Sequence, residues 1–249
     1  MKTFKELQIL LSDPLRYYLE IGHHIRPPFL EDPLEENIRI PTWQLKQTLR
    51  RLYTENLDHV AKSIHFQSPM EQAFVMEKMG HIDLQIKTQL QNFQINKSDV
   101  FNLHVVDHIQ QASKKGINFF YPKKTLTGII HCVCDKGILV MEKREKTFVK
   151  FLDLIATLLF AHATGYLACL KILFFDEKTF VLSKSEADLL LEQIELCIPH
   201  ILIGKFPKTL SNNKDRYQLF LPLLQLNREE DCTAFAPLEK LLKEIYEQF

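Results

Sequence analysis

The chain has 249 residues, with 31 basic and 31 acidic side chains and a formal net charge of zero at pH 7. A hydrophobic share of 46% beside 25% charged residues is ordinary for a soluble globular protein of one large domain or two small ones. The balanced charge excludes a surface that grips nucleic acid all over, and seven glycines argue against glycine-rich phosphate loops and turn-dense all-β designs.

The first element predicted is a helix, with Phe4, Leu7, Leu10 and Leu11 at helical spacing. Thr3 and Glu6 are spaced as a capping box at its start. Ser12-Asp13-Pro14 stops it and opens a second helix, with Pro14 in the first turn and Leu15, Tyr18, Leu19 and Ile21 following. Residues 26–41 read as a loop, because Pro27, Pro28, Pro33 and Pro41 stand among Glu31, Asp32, Glu35 and Glu36. Thr42 is placed to cap a third helix, Trp43 to about Lys62, with Leu45, Leu49, Leu52 and Leu57 inward. Residues 68–81 predict a further helix ending at Gly80. Ile82 to Gln94 fits helix or strand, and Val100 to Val106 is strand-like.

The second half alternates strands with helices. Leu126 to Cys134 predicts a strand, Asp135-Lys136-Gly137 a hairpin turn, and Ile138 to Glu142 the returning strand. Phe148 to Leu167 is a long apolar helix. Ala168 to Phe175 is a strand, Asp176-Glu177-Lys178 a turn and Thr179 to Leu182 a short strand. Ser183 or Ser185 caps a helix from Glu186 to about Leu202. Residues 204–216 form a polar, basic loop, 219–226 stay ambiguous, and a last helix runs from about Cys232 to Tyr246. Residues 1–95 are thus a mainly helical part, and residues 96–249 an α/β core of helices on a mixed sheet with C-terminal helices.

Five cysteines, Cys132, Cys134, Cys169, Cys197 and Cys232, read as reduced thiols of a cytoplasmic protein. In a strand Cys132 and Cys134 share one face, and burial is favoured over zinc. Met1-Lys2-Thr3 leads into a helix pattern, so no signal peptide is expected. The apolar stretch from Phe148 to Phe175 is broken by Asp153, His162 and Lys171, which makes it too polar for a membrane span.

Three stretches in order carry a resemblance. LQILLSDPLRYYLEIGHHIRPP, residues 7–28, holds a helix pair joined at Asp13-Pro14-Leu15-Arg16-Tyr17-Tyr18-Leu19, followed by the acidic loop and Trp43-Gln44-Leu45-Lys46-Gln47. LTGIIHCVCDKGILVMEKRE, residues 126–145, is hairpin-like, and SKSEADLLLEQIELCIPHILIGKFPKT, residues 183–209, is a late helix with a polar tail ending at a proline. Together they resemble the C-terminal nuclease-like domain of the exodeoxyribonuclease V gamma subunit family (RecC). The resemblance implies a PD-(D/E)XK restriction-endonuclease-like core, α/β with a mixed sheet flanked by helices, as the last domain of a longer subunit. It implies a role in double-strand break repair and recombination, with RecB-like and RecD-like subunits and double-stranded DNA ends or forked DNA as partners. Mg²⁺ and ATP would belong to those partner subunits, and this domain would hold no cofactor.

Active members of that fold hold Mg²⁺ with acids on two adjacent strands, and a lysine follows the second acid at two residues' distance on the same face. Here Gly128-Ile129-Ile130-His131 puts His131 at the first acid position, and Met141-Glu142-Lys143 puts Met141 at the second, with Lys143 at the lysine. Neither a thioether nor an imidazole suits Mg²⁺. The expectation is therefore a site without catalytic residues or metal ligands. Read as a residue alone, His131 is a surface or partly buried histidine. Local DNA contacts are expected instead from two clusters. Lys114, Lys115, Lys123 and Lys124 bracket Phe119-Phe120-Tyr121, a pattern suited to base stacking or a wedge. Lys205, Lys208, Lys214 and Arg216 share one loop. A solvated loop around a buried aromatic anchor is the favoured reading of both clusters. The rival functions are an active Mg²⁺-dependent exonuclease using Asp135 or Glu142, and a scaffold that only holds subunits.

Overall fold

The structure is a computed structural model, and it describes residues 3–25, 48–64, 66, 68–106, 109–110, 126–141, 147–165, 170–206 and 233–249. The predicted loop at 26–41, Thr42, Trp43, Leu45, residues 207–216, the segment 219–226, Cys169 and Cys232 lie outside the described residues.

The chain begins as its sequence predicts. Helix α1 spans Phe4–Ser12, and the Thr3 hydroxyl accepts the Glu6 N–H at 3.1 Å. Asp13 caps the next helix by accepting from the Arg16 N–H, and Pro14 takes the first helical position of α2, Pro14–Tyr17. A π-turn, Tyr18–Gly22, completes this second element.

The predicted third helix is two pieces. Residues 48–51 are helical, the chain turns at 52–55, and α3 spans Leu57–Lys62. The break lets Leu52 and Tyr53 both enter the core, where each is fully buried. Thr54 and Asn56 are weak helix formers, so little helical preference opposes the turn. Helix α4, Pro69–Asn92, passes straight through Gly80, where the sequence predicts an end. Its buried face of Met79, Ile86, Gln89 and Leu90 outweighs the roughly 1 kcal/mol that glycine costs in a helix. The stretch 82–94 is thus helix rather than strand until Gln94, whose φ of 52° ends it.

Six strands form one mixed sheet in the order β2-β1-β3-β4-β5-β6. They are β1 Phe101–Val106, β2 Ile109–Gln110, β3 Gly128–Cys134, β4 Gly137–Leu139, β5 Lys171–Leu173 and β6 Thr179–Val181. All neighbours run antiparallel except β4 and β5. That parallel pair needs a crossover, and α5, Phe148–Ala163, supplies it. The returning strand β4 is shorter than predicted and stops before Val140, whose N–H donates to Leu173 O on β5.

Helices cover both faces of the sheet. On one face α1, α2, α5, α6 (Lys184–Leu202) and α7 (Ala236–Gln248) enclose Leu103, Val105, Ile130, Val133, Ile138 and Ile172. Of the two predicted caps Ser183 is the one used, and it closes a capping box with Glu186 at the start of α6. The buried His162 on α5 bonds Asp188 of α6 through Nε2 at 2.7 Å, which explains how a polar residue sits inside the apolar helix. On the other face α3, α4 and the 48–54 segment enclose Cys132, Cys134, Leu139 and Leu173. Strands β4 and β5 are therefore buried on both sides at their apolar pairs, Ile138-Leu139 and Ile172-Leu173. Lys136, in the hairpin turn, donates to the Phe93 and Gln94 carbonyls at 2.8 and 3.0 Å, and so binds the β3–β4 hairpin to the end of α4. Cys132, Cys134 and Cys197 are buried free thiols. No helix among the described residues is long and apolar enough to cross a membrane.

Candidate functional site

The sequence directs attention to His131, and the structure places a β-bulge there. The ladder between β1 and β3 pairs Phe101 with Val133 but Leu103 with Ile130, so two residues of β3, His131 and Cys132, stand opposite Asn102. Cys132 takes φ 56° to make this possible. The extra residue resets the alternation, and Ile130 and Val133 then face the same core although three positions separate them.

A bulge frees a backbone N–H, and here a side chain takes it up. Asn102 Oδ1 accepts the Cys132 N–H at 3.2 Å and lies 3.2 Å from His131 Nδ1. An oxygen that accepts the amide is an acceptor for the imidazole too, so the His131 proton sits on Nδ1. Burial first, then the positive charge of Arg50, then His104, push the His131 pKa down to about 4. His131 is thus neutral near pH 7.

The same side of the sheet gathers the other polar groups. Phe101, Leu103 and Val105 face the core under α5, which puts Asn102 and His104 on the opposite face. The 48–54 segment runs against this face, with Arg50 O accepting the Cys132 thiol at 3.8 Å. Burial drives that thiol up to about 12, so it is a buried thiol and not a nucleophile. Below it Tyr53 OH donates to Gln89 Oε1 at 2.5 Å, and Gln89 Nε2 donates to Val140 O at 3.2 Å and Leu173 O at 3.1 Å. Burial raises the Tyr53 phenol, with Cys132 adding to the effect, so it stays a hydroxyl donor.

The predicted second position lies apart from this arrangement in kind. Met141 follows the end of β4, partly buried, and packs with the apolar cluster beneath α4. The expected strand to Glu142 is not formed at Met141 because β4 ends at Leu139. Lys143 and Glu142 lie outside the described residues, as do Lys114, Lys115, Phe119, Phe120, Tyr121, Lys123, Lys124, Lys208, Lys214 and Arg216. Lys205 is described. It follows the C-terminal end of α6, which packs on the far side of the sheet from Asn102 and His104. Asp135 is exposed at the hairpin turn, at the other end of β3 from Gly128.

Arg50, Asn102 and His104 were not singled out by sequence reasoning, although signals existed. Arg51 has Glu55 at i+4 and binds it at 2.7 Å, whereas Arg50 has Thr54 there and makes no ion pair among the described residues. Asn102 and His104 are the polar alternates of an otherwise apolar strand.

The site also sets a pH dependence. Between pH 6.5 and 4 the unfolded chain binds a proton at His131 that the folded chain refuses. Stability therefore falls as pH drops through that window. The half-buried ring is partly screened, so the expected loss is about 1–2 kcal/mol. Urea unfolding at pH 7 and pH 4.5 should show it, and His131→Asn should remove that part of the difference. An unchanged difference in the variant would show that His131 does not report this shift.

No protein-family profile, curated protein or solved structure matches the chain.

Proposed function

We propose that this chain is the nuclease-like C-terminal domain of an exodeoxyribonuclease V gamma-type subunit, which positions DNA strands and holds partner subunits without hydrolysing DNA. The single observation that carries the reading is His131. At the position to which the resemblance assigns a Mg²⁺-binding carboxylate stands a neutral imidazole, fixed by Asn102 inside a bulge.

The architecture supports this reading of the core. An antiparallel run of β1, β3 and β4, a helical crossover and a parallel β5 make a mixed sheet with helices on both faces, compatible with a PD-(D/E)XK-like core. The three resembling stretches form definite units: the Asp13-capped helix pair, the β3–β4 hairpin and the capped helix α6. Subunit holding has its own support. Leu189, Leu196 and Ile203 are 48%, 58% and 70% exposed, at seven-residue spacing along and just past α6. The alternative active exonuclease gains nothing from Asp135, which lies at the turn and not beside His131.

Two measurements test the proposal. Linear duplex DNA should survive to the same extent with Mg²⁺ and with EDTA, and Mg²⁺-dependent loss of DNA that follows the purified chain would overturn it. In complex with RecB-like and RecD-like subunits, forked DNA should bind with an affinity that falls steeply with salt. A scaffold that never meets DNA would leave the complex's salt dependence unchanged when this domain's basic residues are replaced.

A further inference from the structure

We propose that Arg50, Asn102 and His104, beside the β3 bulge, form a seat for one phosphate group, with a DNA phosphodiester as its ligand. The inference rests on the DNA-guiding reading above and deepens it, since it names the group that is held and the residues that hold it.

The chemistry follows from how each group is already engaged. Arg50 is exposed, and its guanidinium has no carboxylate partner among the described residues. Its backbone is nonetheless fixed, because Arg50 O is held by Cys132 and Tyr53 three residues on is buried. A planar fork of N–H donors on an anchored backbone is the usual means of holding a phosphate. Asn102 spends its oxygen on the Cys132 N–H and on His131, which leaves the two Nδ2 hydrogens as donors without a partner among the described residues. His104, two residues along β1 on the same face, is exposed. The Arg50 guanidinium, a permanent positive charge, acts on His131 and so brings its charge to this side of the sheet.

The sign is the reverse of what a divalent cation needs. Donors and positive charge instead suit an anion directly, where a metal-dependent site would reach the same phosphate through its cation. In this arrangement His131 is a positioning residue. It turns the Asn102 oxygen inward and so leaves the amide nitrogen available.

The test uses the full chain with two probes. Inorganic phosphate is titrated while the side-chain NMR signals of Asn102, His104 and His131 are followed, in the wild type, Arg50→Ala and His104→Ala. Both substitutions remove exposed side chains, and unchanged circular dichroism melts would show that the fold persists. The expected result is a saturable shift of these signals that is lost in Arg50→Ala. No shift in the wild type overturns the seat. Labelled forked DNA is the second probe, measured in the assembled complex across a salt series. Arg50→Ala should weaken binding about 3–10-fold and reduce the slope of log K against log salt by about 0.7–0.9, one phosphate's share. Arg50→Lys should restore the slope but only part of the affinity. If phosphate shifts the signals while DNA binding is the same with and without Arg50, the ligand is free phosphate and the DNA assignment is overturned. If phosphate binds and the wild-type complex does not bind forked DNA, the seat stands and the DNA-guiding reading falls.

Discussion

Gly137→Ala is expected to destabilise the protein by about 3 kcal/mol or more, which lowers the melting temperature by roughly 6–12 °C for a chain of this size. Gly137 follows the Asp135-Lys136 turn with φ 146°, a conformation that side chains rarely adopt. The position is also closed sterically. A Cβ built there would overlap Lys171 O and come within 3.3 Å of the Lys171 Cβ. Lys171 opens β5, so alanine must either strain the turn or push the parallel β4–β5 pair apart. That pair carries Ile138 and Ile172 into one core and Leu139 and Leu173 into the other, so separation would be felt in both layers. Gly80→Ala is the control. Nothing lies within 4 Å of a Cβ at that position in mid-helix, and a gain of about 0.4–1 kcal/mol is expected. Thermal and urea unfolding of the two variants measure both effects. A Gly137→Ala protein that melts with the wild type would show that the β4–β5 junction is not close-packed.

What the sequence made legible was the local chemistry. The Thr3 cap, the Asp13-Pro14 junction, the Asp135-Lys136-Gly137 turn and the Ser183 cap act through neighbours a few residues away, and each forms where the sequence puts it. The misreadings share a different origin. Gly80 ends no helix because Met79 just before it and Ile86, Gln89 and Leu90 after it are buried and hold α4 to the sheet. The segment from Trp43 to Lys62 breaks because Leu52 and Tyr53 find partners on α4 and β3, tens of residues away. The bulge at His131 is set by Asn102 on another strand, and nothing in Gly128 to Cys134 announces it. For the site the outcome is similar. His131 could be named from motif spacing, whereas its companions depend on which strand lies beside β3 and which segment crosses it. The unpaired arginine and the polar alternates of β1 were visible, but only pairing shows that they meet.

Gln89→Leu is expected to cost about 3–4 kcal/mol and to weaken the site at a distance. Gln89 is 1% exposed, and its amide has three partners, the Tyr53 hydroxyl and the carbonyls of Val140 and Leu173. Leucine fills a similar volume, so the loss is polar. It strands a fully buried phenol and the Val140 carbonyl, while Leu173 O keeps the Val140 N–H. Tyr53→Phe removes only the hydroxyl and leaves Gln89 Oε1 unpaired, at about 1–2 kcal/mol. The double variant should cost at least about 1 kcal/mol less than the sum, because the leucine strands no phenol once the phenol is gone. The functional consequence follows from the chain. Tyr53 lies three residues after Arg50 and its N–H donates to Arg50 O at 3.2 Å, so a Tyr53 freed from Gln89 loosens the segment that carries Arg50. The Gln89→Leu complex should therefore lose part of the same salt slope as Arg50→Ala although residue 89 is buried on the inner side of α4 and bears no charge. A stability loss with the full slope retained would mean that Arg50 is held by its own contact with Cys132, and that the layer beneath α4 supports the sheet alone.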